Sequence, residues 1–171
     1  MSTAVAVFKQ DNIIGEALAL TYRDGIRLTV SFDKLPTGLH GFHIHSAGDL
    51  RGDGCTGACS HWNIGSAKNH GAGPESKGER HTGDLGNIEG PGPIKYSYYL
   101  KKVKPSDLWG RTLIVHEDED DLGLGEHEDS HTTGHSGKRI GCAIFGRGAK
   151  CGVQPHHIKK QHRYTYKNSK V

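Results

Sequence analysis

Short stretches of alternating apolar and polar residues, separated by turn residues, limit this 171-residue chain to few folds. Such alternation is typical of β-strands with one buried face. No stretch between them shows the apolar repeat of a helix, and strands without intervening helices predict an all-β, antiparallel sandwich or barrel. The predicted strands are residues 4–9, 26–32, 42–45, 97–100, 112–115 and 142–145.

Two long segments, residues 46–94 and 117–139, lack the strand pattern and are rich in Gly, Asp, Ser and His. Loops longer than about 15 residues are uncommon in a compact domain, and those that occur are usually functional. Histidine accounts for 13 of the 171 residues, which is more than packing requires. We therefore predict two functional loops that a bound metal helps to order.

The charge distribution divides the chain into a domain and a tail. Residues 152–171 contain five basic and no acidic residues, whereas residues 1–151 carry a net charge of −2. We predict one domain over residues 1–151 and a mobile basic tail over residues 152–171. The longest apolar run, residues 4–8, is far shorter than the ~20 residues of a membrane span, and no secretory signal opens the sequence. A cytoplasmic protein without a membrane partner is expected.

Histidines with metal-ligand spacing begin in one of the predicted strands. His43 and His45 are two residues apart, so both side chains point to the same face of a strand. Such a pair alone is more often surface decoration than a metal site. The other candidate ligands lie downstream. His61, His70 and His81, with the carboxylate of Asp84, suit a four-coordinate zinc site, and His116 is the last candidate.

These histidines belong to a longer series of motifs in a fixed order. The motifs are Gly38-Leu-His-Gly-Phe-His-Ile-His45, Gly54-Cys55-Thr, Glu79-Arg-His-Thr-Gly-Asp-Leu-Gly86, Gly110-Arg-Thr-Leu-Ile-Val-His-Glu117, Asp120-Asp-Leu-Gly123, Thr133-Gly134 and Arg139-Ile-Gly-Cys142. In order and spacing, over roughly residues 3–148, they resemble the Cu/Zn superoxide dismutases. The resemblance implies an eight-stranded Greek-key sandwich of immunoglobulin-like type. It also implies an antioxidant oxidoreductase that converts superoxide to oxygen and hydrogen peroxide.

The resemblance implies copper and zinc as cofactors that share one ligand. Copper would be held by His43, His45, His61 and His116, and zinc by His61, His70, His81 and Asp84. His61 would bridge the two metals as an imidazolate, which flanking cations make possible. Asp120 would accept hydrogen bonds from His43 and His70 and so orient one ligand of each metal.

Three residues would take part in catalysis according to the resemblance. His61 would deliver a proton to the reduced substrate, and Arg139 would attract and hold the superoxide anion. Thr133 would form the opposite wall of a narrow channel.

The resemblance pairs two of the four cysteines, Cys55 and Cys142, in a disulfide. Cys59 and Cys151 have no counterpart in the family pattern, and both a second disulfide and two separate thiols are open. Lys138 and Ile140 lie near Cys142, where some relatives have proline and depend on a copper chaperone. We therefore expect such a chaperone to be possible but not obligatory.

Two other classes of function compete with the enzyme. A non-catalytic copper chaperone domain or copper buffer tends to lose a copper ligand or the channel arginine, or to carry a separate CxxC metal domain. This chain keeps all seven ligands and Arg139 and has no CxxC motif. Nucleic-acid binding is conceivable for the basic tail but not for the domain. The resemblance also implies a homodimer.

Overall fold

The computed structural model describes residues 2–149, which form nine β-strands. Within these residues, no helix has the length and apolar character needed to cross a membrane. The connections contain 3₁₀ turns at Asp53–Ala58 and Pro105–Leu108 and a one-turn helix, α1, at Ser130–Thr133. The strands are β1 (Thr3–Gln10), β2 (Ile13–Tyr22), β3 (Gly25–Lys34), β4 (Gly38–His45), β5 (Asp84–Gly90), β6 (Ile94–Lys101), β7 (Thr112–His116), β8 (Arg139–Ile144) and β9 (Gly146–Arg147).

The strands form two antiparallel sheets. The first sheet has the order β6-β3-β2-β1-β9, and the second has the order β5-β4-β7-β8. β3 pairs with β6, and β4 pairs with β7, although neither pair is consecutive in the chain. These pairings give Greek-key connections between the sheets. The predicted Greek-key sandwich is confirmed, as two separate sheets rather than a closed barrel in the part of the chain that the structure describes.

The eight expected strands are β1–β8, and the two-residue β9 arises because the chain changes sheet after β8. β8 pairs with β7 in the second sheet, whereas Gly146 and Arg147 pair with Val5 and Ala4 in the first. Phe145, between β8 and β9, is buried in the core. The crossover therefore joins the two sheets at the end of the described chain.

Inward-facing side chains of both sheets form one hydrophobic core. Its aromatic centre is Phe8, Phe32 and Phe42, whose ring centroids lie 5.2–6.5 Å apart. Neighbouring aromatic rings at such distances stabilise one another beyond their buried area. On β1 the alanines face this core, while Val7 on the opposite face is half exposed.

Alternation along β4 and β7 separates the core from a second, polar face. Phe42 and Ile44 point into the core, so His43 and His45 point together to the other face of the second sheet, as predicted. The β4–β5 and β7–β8 registers shift at His43 and at His116. Such irregularities re-aim side chains, and here they do so at two candidate ligands. The long loops cover this face.

Two strands differ from the sequence-based expectation. β2 was not predicted, because its residues 17–20 are all apolar and show no alternation of apolar and polar residues. Residues 46–94 were predicted to lack strands, but β5 occupies Asp84–Gly90. The sequence of β5 contains Asp, Asn and two glycines, which have low β-propensity. The segment is nevertheless a strand, because it pairs with β4. Short helical segments also occur within both long loops.

Candidate metal centre

Two groups of four ligand residues meet on the outer face of the second sheet. In each group the ligand atoms lie within 4.8 Å of one another. The structure thus brings together all seven ligands that the resemblance implied. The first group is His43, His45, His61 and His116, and the second is His61, His70, His81 and Asp84. His61 belongs to both groups, so that its two ring nitrogens face different sites.

One nitrogen of each of these six imidazoles is buried and makes no hydrogen bond within the described residues. A buried polar atom without a partner costs free energy, and native proteins rarely leave one unexplained. Six in one place indicate that the centre is built for cations. The nitrogens are His43 Nδ1, His45 Nε2, His61 Nε2, His70 Nδ1, His81 Nδ1 and His116 Nε2.

The opposite nitrogens of the first group are anchored by the protein. His45 Nδ1 donates to the Cys59 carbonyl at 2.8 Å, and His116 Nδ1 contacts the Gly137 carbonyl at 3.3 Å. His43 Nε2 lies 2.9 Å from Asp120 Oδ2. Such contacts fix which nitrogen remains free for a metal and hold each ring in place.

Asp120 joins the two groups, as the resemblance implied. Its Oδ2 contacts His43 Nε2, and its Oδ1 lies 2.8 Å from His70 Nε2. Asn87 holds Asp120 by its backbone on both sides: Asp120 N donates to Asn87 Oδ1 at 2.7 Å, and Asn87 Nδ2 donates to the Asp120 carbonyl at 2.8 Å. Asn87 was not predicted to be a site residue, because it lies in β5, which the sequence analysis did not identify as a strand.

Asp84 is fully buried among the histidines of the second group. Its Oδ1 lies 2.8 Å from His61 Nδ1 and 3.1 Å from His70 Nδ1. Burial would raise the pKa of Asp84, but the hydrogen bond from His61 and the nearby His70 ring hold it below its usual value. The carboxylate is therefore ionised at neutral pH and supplies the oxygen of a three-nitrogen, one-oxygen set that suits zinc.

The imidazoles of the first group are neutral at physiological pH. Burial, which disfavours the charged ring, lowers the pKa of His45 to about 2 and that of His116 to about 3. Burial and neighbouring imidazoles hold the pKa of His43 well below its usual value. Neutral rings have lone pairs ready for a metal, and imidazoles suit both copper and zinc.

His70 differs from the other ligands in its protonation. Burial is the largest influence and lowers the pKa of His70, but the hydrogen bond to Asp120 and the negative charge of the adjacent Asp84 outweigh it and raise the value to about 9. In the metal-free fold this ring therefore holds a proton at neutral pH. A cation that binds Nδ1 must displace that proton.

Arg139 lies beside the first group, at the start of β8. Its guanidinium donates to the carbonyls of Cys55 at 2.9 Å and of Cys59 at 2.6 Å. The Cys59 carbonyl also anchors His45, so the guanidinium and a candidate ligand share one support. The predicted Cys55–Cys142 disulfide is confirmed and ties the 3₁₀ turn to β8. Cys59 has an exposed free thiol, while Cys151 and the tail lie outside the described residues.

Thr133 lies in α1 on the second long loop and is exposed. Its hydroxyl donates to Asp129 Oδ2 at 3.1 Å. Gly134 follows at φ +70° and was not predicted to be a site residue. A Cβ there would lie 2.0 Å from Asp120 Oδ1 and 2.5 Å from His70 Nε2, so only glycine fits.

Comparison with known proteins shows the family to which a chain with this centre belongs. Residues 6–145 match the family described as copper/zinc superoxide dismutase (SODC). The chain belongs to this family. The Cu/Zn superoxide dismutase of Paramecium bursaria Chlorella virus 1 is 50% identical over 128 residues, which cover 71% of this chain and 66% of the viral protein.

Two further comparisons extend the similarity. A putative Cu/Zn superoxide dismutase of Orgyia pseudotsugata multicapsid polyhedrosis virus is 48% identical over 118 residues, 66% of this chain and 75% of that protein. The copper chaperone for superoxide dismutase of Rattus norvegicus is 44% identical over 130 residues; the match covers 75% of this chain but only 46% of the chaperone. The crystal structure of the clock protein EA4 superposes with a TM-score of 0.70 at 32% identity, covering 84% of this chain and 93% of that one.

The residues present fit the metals of the Cu/Zn superoxide dismutase family. Copper and zinc are the cofactors of the family, and the two ligand groups offer seven ring nitrogens, two of them from His61, and one carboxylate, which is four ligand atoms for each ion. The family and its viral members support superoxide dismutation as the chemistry of the chain.

Proposed function

We propose that this protein dismutes superoxide to oxygen and hydrogen peroxide in antioxidant defence. One observation carries the proposal: four neutral imidazoles aim their free nitrogens at one point beside an anchored guanidinium. A metal there is adjacent to a fixed positive charge, which suits a small anionic substrate. The viral superoxide dismutases that this chain matches over 66% and 75% of their length support the same reaction.

The two ligand groups support a specific assignment of the metals. We assign copper to His43, His45, His61 and His116, because four neutral imidazoles suit a redox-active copper ion. We assign zinc to His61, His70, His81 and Asp84, because three nitrogens and one carboxylate form a closed four-coordinate site. His61 then binds both ions, and Asp120 orients one ligand of each.

Copper supplies a one-electron couple that can both oxidise and reduce superoxide, whereas zinc has no redox chemistry. Arg139 attracts and holds the anion with the guanidinium edge that the Cys55 and Cys59 carbonyls do not occupy. His61 Nε2 would take up a proton from solvent and pass it to the reduced substrate, whose second proton would also come from solvent. Thr133 lines the channel opposite Arg139 and excludes larger anions.

A superoxide-decay assay on the metal-loaded chain tests the proposal. The wild type should accelerate decay, and His116→Ala should lose most of the rate because one ligand of the copper group is missing. His131→Ala, an exposed histidine outside both groups, should keep the rate. An inert wild type with full copper and zinc content would rule out the enzyme.

A copper chaperone domain is the second candidate, because the rat chaperone is 44% identical to this chain. The two candidates differ in what happens to copper. A chaperone passes its copper to an acceptor protein, whereas an enzyme keeps it through many turnovers. Retention of copper after incubation with a metal-free superoxide dismutase, together with decay activity, favours the enzyme; quantitative transfer without activity favours the chaperone.

A homodimer is proposed through the exposed apolar side chains around β1 and β8. Val7, Trp109 and Ile144 are 50%, 36% and 40% exposed. Trp109 Nε1 donates to the Thr3 carbonyl, and Ile144 lies near the Gly48 and Gly110 backbone. Ile144→Asp should halve the mass in analytical ultracentrifugation, while Leu124→Asp, on an exposed loop, should not. A monomeric wild type would disprove the dimer.

A cytoplasmic location and copper loading without an obligatory chaperone are proposed for the same protein. Lys138 and Ile140 stand where some relatives have proline, and this supports chaperone-independent maturation. Expression in cells without the chaperone should yield active protein with the Cys55–Cys142 disulfide formed. Inactive, reduced protein from those cells would contradict this.

A further inference from the structure

Two arginine guanidinium groups pack over one tyrosine ring at the turn between β2 and β3. The Arg27 Cζ atom lies 3.8 Å from the centroid of the Tyr22 ring, and the Arg23 Cζ atom lies 5.1 Å from it. Tyr99 meets Tyr22 edge-on with centroids 5.9 Å apart. Cation–π contacts hold the guanidinium groups in place, so these groups lose little further entropy when they bind a ligand.

Three lysines adjoin these arginines, and together the five residues form what we call the basic cluster: Arg23, Arg27, Lys101, Lys102 and Lys104. All five are exposed. β3 pairs with β6, so Gly25 lies opposite Lys101, and Lys102 N donates to the Asp24 carbonyl at 2.8 Å. This pairing brings the end of β6 and the turn after β2 to one place.

The cluster has little compensating negative charge. Asp24 accepts from the Tyr99 hydroxyl and lies 3.8 Å from Lys101 Nζ, and the Asp107 carboxylate accepts from Lys104 N at 2.8 Å at the edge of the cluster. Within residues 2–149, the guanidinium groups of Arg23 and Arg27 have no hydrogen-bond acceptor or ion-pair partner. Like charges gathered without partners repel one another and destabilise the fold, and a bound anion would relieve this.

A surface cavity of about 250 Å³ opens within the cluster. Arg23, Lys102 and Lys104 line it together with Asp24 and Pro105. Arg27 and Lys101 lie beside it on the outer face of the first sheet. The cavity is separate from the metal centre, because none of its lining residues belongs to either ligand group.

We propose that the basic cluster is a binding site for a ligand with two or more adjacent phosphate groups. One phosphate occupies the cavity between Arg23, Lys102 and Lys104, and the next meets the free guanidinium edge of Arg27. Planar guanidinium groups bind phosphate oxygens in pairs, and lysines add point charges. The site is independent of the superoxide chemistry.

The charges favour several phosphates over a single small anion. Five cations against the two carboxylates of Asp24 and Asp107 leave three net positive charges. A terminal phosphate ester carries about −1.5 to −2 charges at pH 7, so two phosphates match the cluster better than one carboxylate. Nucleic-acid bases are disfavoured as the recognised group, because guanidinium groups already cover the Tyr22 ring on which a base would stack.

Isothermal titration calorimetry of the full, copper- and zinc-loaded chain with pyrophosphate tests the site. We expect saturable binding that weakens with added salt, since exposed charges are screened. The double variant Arg23→Gln/Arg27→Gln should bind at least ten times more weakly, and Lys102→Gln should lose part of the affinity. ATP should bind like pyrophosphate and adenosine should not bind, which would place recognition in the phosphates. Metal content measured after each titration verifies that the probe has not removed the ions.

Three control variants locate the binding. Lys77→Gln removes an exposed charge outside the cluster and should bind like the wild type. If only Arg139→Ile loses affinity, the ligand occupies the substrate channel; if only Lys159→Gln/Lys160→Gln loses it, the ligand occupies the tail. Either result overturns the proposal, as does unchanged affinity in the double variant. Binding of a sulfated polysaccharide but not of pyrophosphate would also show that the phosphate assignment is wrong.

Discussion

At the scale of single residues, the site depends on which nitrogen of each histidine is left free. Sequence reasoning named the seven candidate ligands that the structure brings together, because the HxH pair and the family motifs mark them. It could not show that the Cys59 carbonyl fixes His45 while a carboxylate fixes His43. Those anchors come from residues distant in sequence, and they decide the tautomer and the direction of each lone pair.

The protonation of His70 gives a prediction for zinc binding. Since the pKa of His70 is raised to about 9 in the metal-free fold, zinc uptake at pH 7.5 should release about one proton per ion from this ring. The raised value stabilises the metal-free fold fully below the ordinary pKa of about 6.5, and this contribution is lost as the pH rises through 9. Zinc affinity should accordingly rise with pH over this interval.

Calorimetry in two buffers of different ionisation enthalpy counts the released protons. Asp120→Asn removes one carboxylate contact of His70 and should lower the number released. Asp129→Asn, which contacts His135 instead, should leave the number unchanged. Equal proton release by the wild type and Asp120→Asn would contradict the assignment of the proton to His70.

Arg139 provides a prediction about the substrate. Arg139→Ile should lower kcat/KM about tenfold or more and flatten its dependence on salt, since the steering charge that salt screens over ~10 Å at 0.1 M is gone. Stopped-flow decay rates over a range of salt concentrations measure both effects. Lys34→Gln, an exposed residue of β3, changes the net charge equally and serves as the control. If both variants respond alike, Arg139 acts only through net charge.

At the scale of elements, alternation predicted six strands and missed β2, β5 and the two-residue β9. It succeeded where the two faces differ, as on β3, where Leu28 and Val30 are buried and Arg27 is exposed, and it failed on β2, where residues 17–20 are all apolar. The family motifs placed the ligands correctly even in segments whose strands were missed, since Asp84 opens β5. The sequence could not predict which loop residues hold the ligands in place, because this depends on contacts between distant residues such as Gly134 and Asp120.

Gly134 is the element-scale prediction. It ends α1 in the left-handed region, and its missing Cβ leaves room for the Asp120–His70 contact. Gly134→Ala should weaken zinc binding at least tenfold, because the methyl group would displace that contact and the backbone would be strained. Competition with a chromogenic chelator measures the affinity. Gly65→Ala, in the first long loop, should bind zinc like the wild type, because a Cβ there would meet only ordinary contacts, the nearest with Asn63 Oδ1 at 3.6 Å. Unimpaired zinc binding by Gly134→Ala would show that the loop accommodates a side chain there.

At the scale of the whole molecule, the sandwich and the metal loops are held together by a few long-range ties. The core of the two sheets lies on one face of β4 and β7, while the ligands lie on the other. The loops that carry His61 and His70 have few apolar residues of their own to bury. The Cys55–Cys142 disulfide, the Arg139 hydrogen bonds and Asp120 therefore connect them to the second sheet.

The disulfide is the tie that can be removed most cleanly. It links residues 87 positions apart, and the loop-entropy model gives about 4.6 kcal/mol for a closed loop of that length. Measured values are usually smaller, so Cys55→Ser/Cys142→Ser should lower the free energy of unfolding by about 2–4 kcal/mol in urea denaturation of the metal-loaded chain. Cys59→Ser removes an exposed free thiol and should change it by less than about 0.5 kcal/mol. The double variant should also lose activity under conditions in which it remains folded. The Cys55 carbonyl helps to hold Arg139, and without the disulfide Cys55 is no longer attached to β8. A variant that keeps full stability and full activity would show that the hydrogen bonds alone fix the first loop.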